Sequence, residues 1–367
     1  MSNRYSYHNL EEFVVRLFTK IGCPVDDAKV IAEVLLVAEL RGIPSHGLAR
    51  IKTYLGLYQA GRIKLNNKVK IIHETPSTAT IDCGNGFGMI GAKKAMLLAI
   101  QKAKISGTGW VSVNNSNHFG IAGYYAMMAL QEDMIGITTT NASPLVAPTW
   151  SISKFLGTNP IAVAIPAGKN PPFVADFATT PITQGKLALI ERKGKNCPTG
   201  YVQNKTGHPS TNPGILKQGG AIVPLGSDYG HGSHKGYCLG AIVDILSSVL
   251  GGANFGPFTP PQVAFLPLLE KSTGKGIGHF FGAMRIDAFR PANDFKNSID
   301  EWIETFRNAT PIQGHKKVLI PGDPERKMTE INMKKGISII PDVEKELLNI
   351  AEKYHIKFLN ETSMTIS

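Results

Sequence analysis

Two short stretches hold the side chains best suited to chemistry. One is Ser45-His46-Gly47-Leu48-Ala49-Arg50; the other is Asn115-Ser116-Asn117-His118-Phe119-Gly120. Imidazole gains and loses a proton near neutral pH, and a guanidinium grips a carboxylate through two parallel hydrogen bonds. His46 and Arg50 stand four residues apart, so they share a helical face if one helix includes both. Together they describe an acid or base beside an anchor for an organic acid; the competing reading is helix capping. His118 lies where a strand ends and a helix begins, where unpaired backbone N–H groups collect, and Gly120 lets backbone approach a bound molecule. Here the competing reading is a cap cluster with a satisfied surface histidine. Metal chemistry is not expected. His231 and His234 lack partners at ligand spacing, and Cys23, Cys83, Cys197 and Cys238 form no C-x-x-C. Ser151-Ile152-Ser153-Lys154 and Lys205-Thr206-Gly207 imitate a serine acylase pair, but they lie only about fifty residues apart, with no Ser-Asp-Asn between them.

The elements that must position these stretches are read from periodicity. Asn9, with Glu12 three residues later, suggests a capping box, followed by Leu10, Phe13, Val14, Leu17 and Phe18 at helical spacing. Gly22 and Pro24 end that helix. A second starts at Asp26 or Asp27 and turns Val30, Ile31, Val34, Leu35 and Ala38 toward a core; a third opens in the loop of His46 and ends near Tyr58. Strands are expected at 77–83, 109–113, 136–140, 161–165, 173–177, 278–286 and 317–320, and helices up to Lys104 and at 122–130, 185–190, 237–250, 298–306 and 342–354. Residues 193–226 read as loop. Gly86, Gly88 and Gly91 satisfy G-x-G-x-x-G between a strand and a helix, the layout of a dinucleotide-binding turn. The acid such a site needs about 20 residues further on is missing, because the next strand ends in Asn114-Asn115. A glycine-rich helix start is the better reading.

A chain of 367 residues can build two domains or one large one. Apolar content of 43% and charged content of 18% suit a globular enzyme. No apolar run approaches the roughly 20 residues of a membrane span, and no signal peptide is expected, since Met1-Ser2-Asn3-Arg4-Tyr5 leads into an amphipathic helix. The scattered cysteines suit a reduced, cytosolic protein. A formal net charge of +11 raises nucleic-acid binding as a rival. Lys and Arg are spread along the chain, however, and a positive field that draws in anionic substrates explains the charge as well.

Several motifs occur in a definite order: Ser45-His46-Gly47 with Arg50, Asn115 to Gly120, Gly157-Thr158-Asn159-Pro160, Asp176-Phe177-Ala178-Thr179-Thr180, His234-Lys235-Gly236-Tyr237 and Pro321-Gly322-Asp323-Pro324-Glu325. This set resembles the malate/L-lactate dehydrogenase family, the non-Rossmann type that includes sulfolactate, ureidoglycolate and 2,3-diketogulonate oxidoreductases. It covers nearly the whole chain. The chain departs from the family's usual residues at Phe177 and Thr180, where Met and Ser are usual, at Cys238, where Gly is usual, and at Asp323, where Glu is usual.

The resemblance implies an α/β fold, with a mixed-sheet cofactor domain of non-Rossmann topology and a helix-rich domain built from the N- and C-terminal segments. The division implied is 1–75 with 310–367 against 76–309. It implies an NAD(P)-dependent oxidoreductase of 2-hydroxy and 2-oxo acids, and a cytoplasmic homodimer with its active site between domains. Cofactor contacts would fall on Ser143, Asp176, Phe177, Ala178, Lys235, Gly236, Pro321, Gly322 and Asp323, with NAD and NADP left open. His118, His46 and Arg50 would carry catalysis on a small-molecule acid, with no metal, nucleic acid or membrane involved. Alternatives within the family are a ureidoglycolate dehydrogenase, a diketogulonate reductase and a cyclic imine reductase. Outside it stand a non-catalytic basic nucleic-acid-binding protein and a Rossmann-type methyltransferase using Gly86 to Gly91.

Overall fold

In the structure, a computed structural model that describes residues 3–66 and 68–358, the chain opens with β1 (Arg4–Tyr5) and α1 (Tyr7–Lys20). The Ser6 hydroxyl accepts the Asn9 N–H at 3.2 Å, so α1 is capped three residues ahead of the expected Asn9. Its apolar stripe behaves as the periodicity demands: Leu10, Phe13, Val14, Leu17 and Phe18 are all fully buried, each contributing roughly 1.5–3 kcal/mol. After α2 (Val25–Leu40) and α3 (Ile51–Gln59) come β2 (Lys70–Glu74), β3 (Thr78–Asp82), α4 (Gly88–Ser106), β4 (Thr108–Ser116), α5 (Ala122–Met128), β5 (Met134–Thr140), β6 (Ile161–Ile165) and β7 (Phe173–Phe177). The middle of the chain adds α6 (Gln184–Arg192), the short strands β8 (Val202–Gln203), β9 (Pro209–Ser210) and β10 (Ala221–Ile222), and α7 (Ser233–Asp244), which runs on as a π-turn to Val249. Last come β11 (Ile277–Arg285), α8 (Ala292–Arg307), α9 (Asp323–Lys335), β12 (Ile337–Ser338) and α10 (Pro341–Lys353).

Seven strands form the central sheet in the order β2-β3-β4-β11-β5-β6-β7. Only β3 and β4 run parallel; every other neighbouring pair is antiparallel. A Rossmann sheet is mostly parallel, so this is the mixed, non-Rossmann α/β topology that was expected. The late strand β11 inserts between β4 and β5 and brings His279 to the centre of the sheet. Within the parallel β3–α4–β4 unit the glycine motif is a packing device. A Cβ on Gly88 would lie 2.0 Å from the Asn117 carbonyl oxygen, and one on Gly91 would lie 2.2 Å from Cys83 Sγ. Asn117 Nδ2 also donates to Gly86 O at 2.8 Å. The turn is therefore covered by the His118 loop, where a Rossmann turn would lie open to a pyrophosphate.

The terminal segments meet. β1 pairs antiparallel with β12, α2 packs on α9, and α3 packs on α10. One apolar core runs from Phe13 and Leu35 through Met96 to Val111, Phe281 and Leu347, joining these helices to the sheet. A smaller core of Val146, Leu156, Leu187, Val202 and Ile222 supports β8, β9 and β10, inside the stretch read as loop. The structure corrects further expectations. Residues 317–320 form no strand but lead into α9, which periodicity missed because only Asn332 of its residues is buried. The edge strand β2, where no strand was expected, pairs with β3 in the central sheet and is exposed throughout, so it shows no alternation. α7 and α8 begin before the expected residues 237 and 298.

Candidate active site

The chain leaves α2 through Arg41-Gly42-Ile43 into two 3-10 turns, Pro44–His46 and Leu48–Arg50, and then α3. His46 and Arg50 thus do not share a continuous helix; Gly47 separates their turns. What fixes this loop is Glu39. Its buried carboxylate accepts the Leu48 N–H at 2.7 Å, and a Cβ on Gly47 would lie 2.2 Å from Glu39 Oε1, so a side chain there would push Glu39 off its place. Burial pushes the Glu39 carboxyl up to about 7, against the hydrogen bond from Leu48, which lowers it.

Arg50 Nε donates to the Ser45 carbonyl oxygen at 2.7 Å. Among the described residues no acceptor engages its two terminal nitrogens. One turn further along, the Tyr54 hydroxyl meets His118 Nδ1 at 2.7 Å, and so joins α3 to the loop after β4. The His46 and His118 rings stack with centroids 5.5 Å apart and planes 24° apart, and His46 Nδ1 lies 3.0 Å from Ser45 Oγ. The structure therefore brings together all three residues expected to carry catalysis. Beneath them, fully buried His279 on β11 stacks on Phe119 with centroids 4.5 Å apart. Its Nδ1 meets Thr140 Oγ1 at 2.7 Å and its Nε2 meets Ser116 Oγ at 2.8 Å, which ties down the base of the His118 loop.

The Gly120 N–H also donates to His118 Nδ1, at 3.3 Å. A backbone N–H cannot reverse its role, so Nδ1 accepts and the hydrogen-bond network assigns the proton to Nε2. His46 differs, because its partner is a hydroxyl, which can donate or accept. Burial drives His46 down to about 3, reinforced by Arg50 and Lys186, and holds His118 well below the usual range, reinforced by Arg50 and His46. Burial also lowers Arg50. All three keep part of their surface exposed while lying deep, as in a recess. The recess holds two neutral imidazoles and one guanidinium that no carboxylate compensates.

The residues expected to meet a cofactor divide into two groups. Some side chains are already engaged. Asp176 Oδ2 accepts the Gly123 N–H at 2.8 Å in the first turn of α5, and burial pushes its carboxyl up to about 6. Ser143 Oγ accepts the Gln262 N–H at 3.0 Å and donates to Pro260 O at 3.1 Å. Asp323 accepts from Ile320 N–H at 3.0 Å and pairs with Arg326 and Arg307; these lower its carboxyl although burial works the other way. Pro321 O accepts the Val174 N–H at 3.1 Å, and Gly322, with φ of 97°, caps α9. Phe177, Ala178 and Lys235 are open. Phe177 is 43% exposed, Ala178 is partly exposed, and Lys235 is exposed at the start of α7. Gly236 is buried against the Leu225 carbonyl, 2.3 Å from where a Cβ would sit. Among the described residues no group of three or more His, Cys, Asp or Glu could hold a metal ion.

A model of the family described as malate/L-lactate dehydrogenase matches residues 5–348. The chain belongs to the malate/L-lactate dehydrogenase family. It is 42% identical over 352 residues to a malate dehydrogenase of Pyrococcus abyssi, covering 95% of this chain and 94% of that one. It is 37% identical over 345 residues to an L-sulfolactate dehydrogenase of Methanocaldococcus jannaschii, covering 94% and 95%. Its fold matches the crystal structure of a malate dehydrogenase from Entamoeba histolytica with a TM-score of 0.91 and 35% identity, covering 97% and 99%.

In this dehydrogenase, sequence reasoning missed Tyr54 and Glu39. Tyr54 lies four residues after Arg50, a spacing that could have found it; Glu39 gives no local signal, since its partner is a backbone N–H. Its raised pKa yields a test. A carboxyl that titrates near 7 when folded and near 4.5 when unfolded makes folding less favourable as pH rises through that window, by an amount on the order of 3 kcal/mol. Glu39→Gln keeps an acceptor for Leu48 and carries no charge. The difference in Tm, variant minus wild type, is expected to grow between pH 5 and pH 8. A difference independent of pH would show that the Glu39 side chain does not titrate in this window.

Proposed function

We propose that this dehydrogenase interconverts a small 2-hydroxy acid and its 2-oxo acid with NAD or NADP, in the manner of malate/lactate dehydrogenases. The observation that carries the reading is the cluster of Arg50, His46 and His118, a guanidinium with unengaged terminal nitrogens beside two neutral imidazoles. A 2-oxo acid offers what that cluster lacks: a carboxylate for the guanidinium and an oxygen on C2 for the imidazoles. His118, with its proton on Nε2, donates a hydrogen bond to the C2 oxygen and orients it. His46 exchanges the proton, giving it to that oxygen in reduction and taking it in oxidation. The substrate's negative charge offsets Arg50 and raises the His46 pKa from its depressed value, so the anion and a proton enter together. Tyr54 holds the His118 ring in place.

Residues around α7 suit a dinucleotide. His234 Nδ1 is buried without a partner, the α7 N-terminus has Gly232 as its cap and no side-chain cap, and Lys235 is exposed beside it. Unpaired N–H groups and positive charge fit a pyrophosphate, while Phe177 and Ala178 offer apolar surface. Ser143, Asp176 and the Pro321-Gly322-Asp323 turn would shape the cofactor's bed, since their side chains are engaged within the protein. A nicotinamide held there supplies hydride exchange with C2 of the substrate.

The reading includes the domain division 1–75 with 310–367 against 76–309, a cytoplasmic setting and a homodimer. An inverted face along α7 and the π-turn that continues it supports the last of these: Gly236, Gly240 and Ser247 are buried, while Ile242, Ile245 and Val249 are exposed.

The test is absorbance at 340 nm with NADH and then NADPH against oxaloacetate, pyruvate, sulfopyruvate, diketogulonate and a cyclic imino acid. Malate, lactate and ureidoglycolate are run in the oxidative direction. Turnover of an open-chain 2-oxo acid with one cofactor is expected. Silence across the panel, with no thermal shift from either cofactor, would overturn the reading.

A further inference from the structure

Helix α6 begins beside the Ser45-His46 turn. A Cβ on Gly185 would lie 3.2 Å from Ser45 Cβ, so the first turn of α6 rests on the loop that carries His46. Thr183 caps this turn by accepting the Lys186 N–H at 3.4 Å. Lys186 is exposed and, after Arg50, is the second cation whose charge acts on the His46 ring. The other charges of α6 point elsewhere and are paired: Glu191 with Lys217 at 2.7 Å, and Arg192 with Asp342 at 3.5 Å. Among the described residues no carboxylate lies within ion-pair distance of Lys186. The recess is therefore flanked by two uncompensated cations that differ in kind. Arg50 presents a planar fork suited to one carboxylate, whereas Lys186 presents a point charge that accepts any anionic group without a fixed geometry.

We propose that Lys186 is a specificity-determining residue that pairs with a second anionic group, at the far end of the substrate, so that the site favours dianionic over monoanionic 2-oxo and 2-hydroxy acids. This rests on the proposed activity at the same site and narrows its substrate class. The chemistry required is a short acid whose C1 carboxylate meets Arg50 and whose distal carboxylate or sulfonate meets Lys186. A monoanion leaves Lys186 solvated, at no cost but with no gain.

The experiment compares wild type with Lys186→Gln, Lys186→Arg and, as a control for net charge, Lys193→Gln, an exposed lysine beyond the far end of α6. Reductive kcat/KM is measured with oxaloacetate and with pyruvate. Binding of L-malate and of L-lactate is measured by calorimetry, which needs no turnover. Lys186→Gln is expected to lower kcat/KM for oxaloacetate and affinity for malate about tenfold, which is about 1.4 kcal/mol, and to change pyruvate and lactate less than about twofold. Lys186→Arg should restore most of the loss, and Lys193→Gln should change neither substrate. Equal losses for dianion and monoanion would overturn the proposal, since they mark a structural or cofactor role. So would the absence of any change, or an equal loss in Lys193→Gln. A wild type that reduces no 2-oxo acid refutes the dehydrogenase reading instead, and calorimetry then still decides whether Lys186 selects dianions.

Discussion

Replacing His46 by alanine is expected to slow 2-oxo acid reduction by about 10²–10⁴-fold and to flatten its pH profile. The empty site keeps His46 neutral, because burial and two nearby cations push its pKa down to about 3. Reduction consumes a proton, so wild-type kcat/KM should fall as pH rises through neutrality, by up to about tenfold per pH unit. Oxidation needs the neutral imidazole, which the empty site already holds, so its kcat/KM should stay flat through neutrality. His118→Ala is expected to cost about 10²–10³-fold, in the range of losing one preorganised donor to a polarised oxygen, but to keep the slope. The distinction comes from the hydrogen bonds. Protonating His118 Nδ1 would set it against the Gly120 N–H, whereas protonating His46 requires only that the Ser45 hydroxyl turn around. Tyr54→Phe should lower kcat without removing the slope, since it frees the His118 ring from its 2.7 Å contact. Profiles of kcat and kcat/KM for the three variants decide the matter. A slope that survives in His46→Ala and vanishes in His118→Ala would exchange the two roles.

Fold and site were legible to the extent that each was written locally. The stripe of α1 was readable because a helix half in water and half in core must alternate at its own period, and all five expected side chains are buried. β2 and α9 were not readable for the same reason: β2 is exposed throughout, and α9 buries only Asn332, so neither carries an apolar pattern. The insertion of β11 between β4 and β5 follows from long-range pairing that no local window contains; only the family resemblance implied a mixed sheet. His46, Arg50 and His118 stood out because their motifs pack unusual residue types close together. Tyr54 reaches His118 across 64 positions, and α6, which carries Lys186, comes to the His46 loop through the Gly185–Ser45 contact. Conversely, the G-x-G-x-x-G turn looked functional from its spacing and proved to be a close approach of α4 to the Asn117 backbone. Gly88 and Gly91 are needed for space, which in a sequence looks the same as being needed for a phosphate.

Arg50→Gln is expected to lower kcat/KM for 2-oxo acids by about 30- to 4000-fold, the equivalent of the roughly 2–5 kcal/mol lost when one member of a desolvated charge pair is removed. Most of the loss should appear in KM, because the guanidinium holds the carboxylate equally before and during the transfer. Arg50→Lys should recover only part of it: an ammonium lacks the fork, and it cannot both hold the Ser45 carbonyl, as Nε does at 2.7 Å, and grip two carboxylate oxygens. Two further readouts separate an anchor from a structural clamp. Arg50 depresses both histidines, so its removal should move the His46 titration toward neutrality and shift the fall in reductive kcat to higher pH. It is also a half-buried cation with no carboxylate partner among the described residues, so the empty protein bears the cost of holding it. Arg50→Gln should then raise Tm in the absence of substrate while activity collapses, the opposed changes expected where stability has been given up for function. A variant that loses both would show that the bond to Ser45, rather than a vacant pair of nitrogens awaiting an anion, is what Arg50 provides.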